Sequence, residues 1–302
     1  MGDQTRQTNS ATPAIEFRNV SLSFDELRVL DDLSFQLKPA EMIFVTGVSG
    51  SGSSVLLHLA MGLLKPDEGQ IFIEGREIET LDESELLAMR GGLLGMVFQE
   101  DSLFTGLSVY ENVAYRLEEH GWKEDEIEQT VSEVLRFVRL EGEEDRLPEE
   151  LSGGMKRRVE IARALIGWPT IMLFDEPTTM LDPIVALQVM NLIIRARDVN
   201  KVASLYVTKK PQEIPYLAGY HAVDHGKGRI EIEEAPESQR PLTRVMVLDS
   251  GRTVFCGGVE EFQKSDLPTI KELIALDPHD HTNEPYFPDP WDKKRKPKDE
   301  IL

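Results

Sequence analysis

The segment Gly47-Val48-Ser49-Gly50-Ser51-Gly52-Ser53-Ser54 constrains this chain more than any other. A near-continuous apolar run, Met42 to Thr46, leads into it, and a helical pattern opens behind it at Val55. An apolar run of that kind fits a strand buried on both faces of a parallel sheet. The glycines let the backbone curl until successive N–H groups point inward at one anion. The N-terminus of the following helix adds its dipole. Such a loop cradles phosphate. Its spacing matches G-x-x-x-x-G-K-[ST] at every fixed position but one, because Ser53 stands where the lysine would contact the outer phosphates. Ser54 keeps the hydroxyl that reaches a Mg²⁺.

The remaining pattern builds a sheet around that strand. Ile15-Glu16-Phe17, Leu22-Ser23-Phe24 and Leu33-Ser34-Phe35-Gln36-Leu37 predict short antiparallel strands. Gly95 to Phe98 reads as a further strand. From Gly106 to Ile166 the pattern is helical, with Ile127, Val131, Val134, Leu135 and Val138 on one face of a helix over 124–138. Thr170 to Phe174 and Val202 to Val207 predict buried parallel strands, each followed by a helix. The fold class is therefore α/β with a helical insert. Gly219 to Pro241 interrupts this rhythm, and Arg229 to Glu233 alternates like an exposed strand. Residues 1–13 read as a disordered leader, and the chain beyond Asp277 as an irregular or partner-ordered tail.

Composition excludes several functions. The net charge of −21 repels nucleic acid, and the longest basic run is Lys293-Lys294-Arg295-Lys296, in the tail. A single cysteine, Cys256, allows no internal disulfide and fits a reducing compartment. The first residues lack the apolar core of a signal peptide. No window approaches the ~20 apolar residues of a membrane span, so a membrane role requires a partner. His221 and His225, and His279-Asp280-His281, lack the four-ligand spacing of a structural zinc site and read as solvated polar loops.

Chemistry reappears downstream. Ile171 to Glu176 is an apolar strand ending in two carboxylates. Asp175 is placed to bind Mg²⁺, directly or through water, and Glu176 to orient or activate the water that phosphoryl transfer requires. Between loop and strand lies Leu151-Ser152-Gly153-Gly154-Met155-Lys156-Arg157-Arg158, where small residues open a helix and offer phosphate donors at Ser152, Gly153 and Gly154. This stretch resembles the LSGGQ signature of ABC ATPases, with methionine last. The resemblance covers roughly residues 14–265. It implies a P-loop NTPase fold of ABC type, with a mixed sheet, an antiparallel β subdomain and a helical subdomain. The expected limits are a nucleotide-binding domain over 14–262, the helical part over about 100–165, an insertion over about 219–241 and an extension over 263–302. The resemblance also implies that Phe24 stacks on adenine and that Gln99 is the Q-loop residue near metal and water. Asp182 falls in the D-loop. ATP and Mg²⁺ are the implied cofactors. The signature of one subunit closes on the nucleotide of another, so a second ATPase subunit is implied, identical or not.

Leu103 to Ala114 and the methionine-bearing signature resemble most the ATPases of Mla/Mce-type lipid transport systems. The implied partners are an integral-membrane permease, docked near the segment after Gln99, and an Mce-domain component. The implied place is cytoplasmic, on the inner face of the membrane. One further departure stands out. After Val202–Val207 the family has a histidine on the γ-phosphate, and here Lys209 occupies that position. Two readings stay open. Either the site has degenerated into a non-catalytic scaffold or regulator, or the charge lost at Ser53 is supplied by Lys209 from the opposite side.

Overall fold

The computed structural model describes residues 12–48, 50–226 and 229–275. The expectations for the leader, for Ser49 and for the tail with its histidine cluster and basic run lie outside those residues.

Alternating apolar residues open the chain as two long strands, β1 (Ile15–Phe24) and β2 (Leu27–Leu37), paired antiparallel, with Phe17 stacked on Phe35 at 4.8 Å. The runs Ile15–Phe17 and Leu22–Phe24, expected as separate strands, are one. The register shifts between Phe17 and Val20 and again toward Ser23, so bulges bend the strand without ending it. β3 (Met42–Gly47) is buried along its whole length and feeds α1 (Ser53–Ala60). β4 (Glu68–Ile73) returns beside β1, and β5 (Arg76–Glu77) closes an antiparallel sheet of order β2-β1-β4-β5. α2 (Glu83–Gly92) begins with a capping box in which Asp82 and Glu85 each accept the other's backbone N–H.

β6 (Leu94–Val97) ends one residue before the expected strand, leaving Phe98 and Gln99 in the following loop. Three helices follow: α3 (Val109–Glu119), α4 (Glu124–Phe137) and α5 (Gly153–Leu165). The predicted stripe on α4 is buried, with Val131, Val134 and Leu135 at 0% exposure. Asn112, also fully buried, organises the loop before α3. Its amide accepts from the Phe104 N–H at 2.9 Å and donates to the carbonyls of Phe104, Leu107 and Ser108. Alanine there leaves several buried backbone groups unpaired. Asn112→Ala is expected to cost about 3 kcal/mol of unfolding free energy, read by urea titration.

The chain then alternates strand and helix through β7 (Ile171–Asp175), α6 (Pro183–Asn200), β8 (Ala203–Val207) and α7 (Glu213–Gly219). A hairpin of β9 (Tyr220–Asp224) and β10 (Ile230–Glu234) forms its own two-stranded sheet. β11 (Thr243–Asp249), β12 (Arg252–Gly257), α8 (Val259–Gln263) and α9 (Pro268–Ala275) complete the described chain. The main sheet runs β12-β11-β3-β8-β7-β6, parallel from β11 to β6, with β12 antiparallel at the edge.

Both faces of this sheet are covered, which is why β3, β7 and β8 read as unbroken apolar runs. One apolar layer packs the sheet against α3 to α9, and the other against α1, α2 and the antiparallel sheet. Each fully buried Leu, Ile or Phe in these layers contributes roughly 1.5–3 kcal/mol. The consequence for function is positional. β3, β8 and β7 are neighbours, and all three deliver their C-terminal ends to the same edge, where open α/β sheets bind ligands.

Candidate functional site

At the end of β3 the chain must turn sharply, and the glycines permit it. Gly50 and Gly52 have φ of 81° and 92°, a region L side chains rarely adopt. Gly47 is required for a different reason, since a Cβ there would lie 2.3 Å from the Leu248 carbonyl oxygen. The loop is pinned by the Ser51 N–H donating to the Val48 carbonyl at 3.0 Å. Ser53 turns inward on the loop, its hydroxyl 2.8 Å from that of Ser51. The Ser54 hydroxyl donates to Asp175 at 3.0 Å, joining the loop to the end of β7.

Asp175 is 4% exposed. Burial pushes its carboxyl above the ordinary carboxylate value. The charge of Glu176 adds to that, and the Ser54 hydrogen bond pulls against it. Glu176 carries a left-handed backbone, φ 44°, a conformation that concentrates at functional sites. Its N–H donates to the Val207 carbonyl, and one carboxylate oxygen accepts from the Thr179 hydroxyl at 2.9 Å. The other oxygen meets Lys209 Nζ at 2.6 Å. Lys209 is half-exposed, so solvent screens the pair and it adds little to stability. Its significance is where it puts the charge.

A pocket of roughly 320 Å³ collects these groups: Phe24, the described loop residues Gly47, Val48 and 50–54, and Glu176 with Lys209. Phe24 is 46% exposed, an aromatic face open to a ligand. Ser53 and Lys209 thus line one cavity although 156 positions separate them in the chain.

Other expected residues sit elsewhere. Ser152, Gly153 and Asp182 line no part of this pocket. Ser152 caps α5 through the Met155 N–H at 3.3 Å, and both it and Gly153 are exposed. Gly154 is buried, where a Cβ would strike Val185 at 2.5 Å, so its smallness serves helix packing. Asp182 caps α6, accepting from the N–H groups of Ile184 and Val185. Gln99 is held by its carbonyl to Arg157, and among the described residues its side chain hydrogen-bonds none of Ser54, Asp175 and Glu176. Among the described residues His221 joins no group of potential metal ligands. His225 stands with the carboxylates of Glu231 and Glu233 on the hairpin, meeting Glu233 at 2.7 Å.

Sequence reasoning missed Glu213. It is fully buried and accepts hydrogen bonds from Thr178, Tyr206 at 2.8 Å and Thr208 at 3.1 Å. Those residues follow β7, end β8 and precede Lys209, so one carboxyl locks both loops. Burial raises its proton affinity, partly offset by these bonds and by Lys210. In the sequence it looks like any acid opening a helix.

The model of the ABC transporter family matches residues 30–179. The Arabidopsis thaliana protein named trigalactosyldiacylglycerol 3, chloroplastic, is 37% identical over 88% of this chain and 75% of its own length. The methionine import ATP-binding protein MetN of Leifsonia xyli is 34% identical over 86% of this chain and 71% of its own. A dimeric ATP-binding cassette solved in a post-hydrolysis state with ADP and Pi superposes with a TM-score of 0.67. It is 26% identical over 81% of this chain and 98% of that one.

Proposed function

This chain belongs to the ATP-binding subunits of ABC transporters, and on that premise we propose that it holds ATP in the pocket between the phosphate loop and Lys209 and hydrolyses it to drive lipid transport. The observation that carries the proposal is the pocket itself. Phe24, the loop, Glu176 and Lys209 share one cavity. Adenine stacks on Phe24, and the phosphates lie against the loop N–H groups and the N-terminus of α1. Lys209 supplies at the γ-phosphate the positive charge that Ser53 does not. Glu176 orients water toward the γ-phosphorus, so that the bond to the bridging oxygen breaks and ADP leaves.

Mg²⁺ is the metal the family implies, and the residues fit it. Ser54 and Asp175 meet at 3.0 Å, and a buried carboxylate whose proton affinity is raised by burial is relieved by a cation. These two would hold the ion, and it would supply positive charge to the phosphate oxygens.

The other half of the site comes from a second ATPase subunit. Exposed Ser152 and Gly153 face outward at the start of α5, and Met180 and Ile184, 97% and 70% exposed, offer apolar contact beside Asp182. The permease docks in a groove of roughly 570 Å³ that includes Leu87, Phe98, Phe104 and Tyr115. This groove adjoins the segment expected to meet it. A lipid cargo is supported by the Mla/Mce resemblance of Leu103 to Ala114 and by a relative that bears a galactolipid's name. The methionine importer is nearly as similar, and the permease and any Mce-domain component select the cargo. Among the described residues no helix is long and apolar enough to cross a membrane, which suits a peripheral place on its inner face.

A competing reading, a non-catalytic regulatory subunit, draws on the same ion pair. A lysine held on Glu176 occupies an oxygen that water would need. Nucleotide binding itself is tested on the full chain by equilibrium dialysis with ATP. Phe24→Ala is expected to weaken binding roughly tenfold, as loss of base stacking does. Equal affinity in both chains, or no binding at millimolar ATP, would remove the pocket from the account.

A further inference from the structure

A third cavity, of roughly 460 Å³, lies where the end of α4 meets α5, α6 and the β9–β10 hairpin. Arg139, Arg158 and Arg195 line it, with Ile230 and Ile232 of the hairpin giving it apolar walls. Acids outnumber bases by 54 to 33 in this chain, so carboxylate partners are abundant. Yet among the described residues none of these three guanidiniums is ion-paired. Arg158 donates to the neutral Gln188 side chain. Arg195 donates to the Phe137 carbonyl at 3.1 Å and lies over the Phe137 ring at 4.4 Å, while its Nε is buried without a hydrogen-bond partner. Arg139 is exposed and holds φ 59° just after α4, a position that usually takes glycine. The one carboxylate on the wall, Glu231, is already engaged by Arg229 at 2.5 Å and His225 at 3.6 Å.

The crowding has an electrostatic signature. Burial first, and then the charge of Arg139, push both Arg158 and Arg195 below their ordinary values. Three converging cations, unneutralised in an acidic protein, call for an anion. Guanidinium forks match phosphate oxygens two at a time.

We propose that this cavity is a binding site for the phosphate group of a small phosphorylated molecule, gripped by Arg139, Arg158 and Arg195 and closed on one side by the hairpin. The hairpin, which departs from the strand-helix rhythm of the chain, thereby gains a role. The site bridges α5, which Ser152 caps, to α6, which Asp182 caps, so its occupant ties together the two elements offered to the second subunit.

Inorganic pyrophosphate is the probe. It would also enter the phosphate loop, so the measurement is made in the full chain carrying Gly50→Asp, which sets a carboxylate in that loop. Calorimetry at low salt is expected to show one equivalent bound. Adding Arg139→Gln or Arg195→Gln is expected to weaken it at least about tenfold. Arg136→Gln, the same charge change on the neighbouring exposed face, is expected to leave affinity within about twofold. Equal affinity in the Arg139→Gln and Arg195→Gln chains, or no pyrophosphate bound at millimolar concentration, would overturn the proposal. Phosphatidate vesicles then separate the sources of phosphate. Sedimentation that depends on Arg139 assigns a lipid headgroup, and its absence beside intact pyrophosphate binding assigns a soluble ligand.

Discussion

Glu176→Gln lowers ATP turnover of the assembled transporter by about 10²–10⁴-fold, the range a positioned general base supplies, while ATP binding persists. The substitution is nearly isosteric. Its backbone stays fixed by the hydrogen bond to Val207, and an amide oxygen still accepts from Thr179. Only the ability to draw a proton from water, and the charge opposite Lys209, are lost. Phosphate release measured at saturating ATP reads the effect. Unfolding free energy should change little, because the lost ion pair is screened on its lysine side. Unchanged turnover would mean that Glu176 is a strand cap and nothing more.

Lys209→Ala carries the second large effect. Ser53 offers a hydroxyl at a position that ordinarily presents a cation, and its oxygen lies 2.8 Å from another hydroxyl of the same loop. Lys209 is the basic side chain that shares the pocket with that loop. Removing a preorganised donor from developing charge typically costs about 10²–10³ in rate, and that loss is expected here at saturating ATP. A half-exposed lysine contributes little to folding, so the variant should melt near the parent temperature. A purely regulatory subunit predicts a different outcome, with negligible turnover before and after the change.

Much of this architecture is legible in the sequence. Buried strands such as β3, β7 and β8 announce themselves because both faces are apolar, and the loop after β3 because only glycine tolerates its turns. The bulged β1 was less legible, since its irregularities mimic strand ends. Glu213 was invisible for a simple reason. Its partners lie after β7 (Thr178), within β8 (Tyr206) and just after it (Thr208), and only the sheet order brings Thr178 to the other two. The arginine cavity escaped in the same way. The longest basic run lies in the tail, whereas Arg139 follows α4, Arg158 belongs to α5 and Arg195 to α6, and the three meet only in three dimensions. Net charge describes the whole surface and says nothing of a local reversal. Asp182 was legible as a cap as well, since an Asp before Pro183 and an apolar run marks a helix start, and its carboxylate does cap α6.

The central claim is that the γ-phosphate cation has moved from the loop to the end of β8. The most direct measurement is a cycle of ATP turnover through Lys209→Ala, Ser53→Lys and the double variant. Relocation predicts that Lys209→Ala abolishes turnover and that adding Ser53→Lys restores a substantial part of it. Turnover unchanged by Lys209→Ala, with a large gain from Ser53→Lys alone, would contradict the claim and mark the site as degenerate.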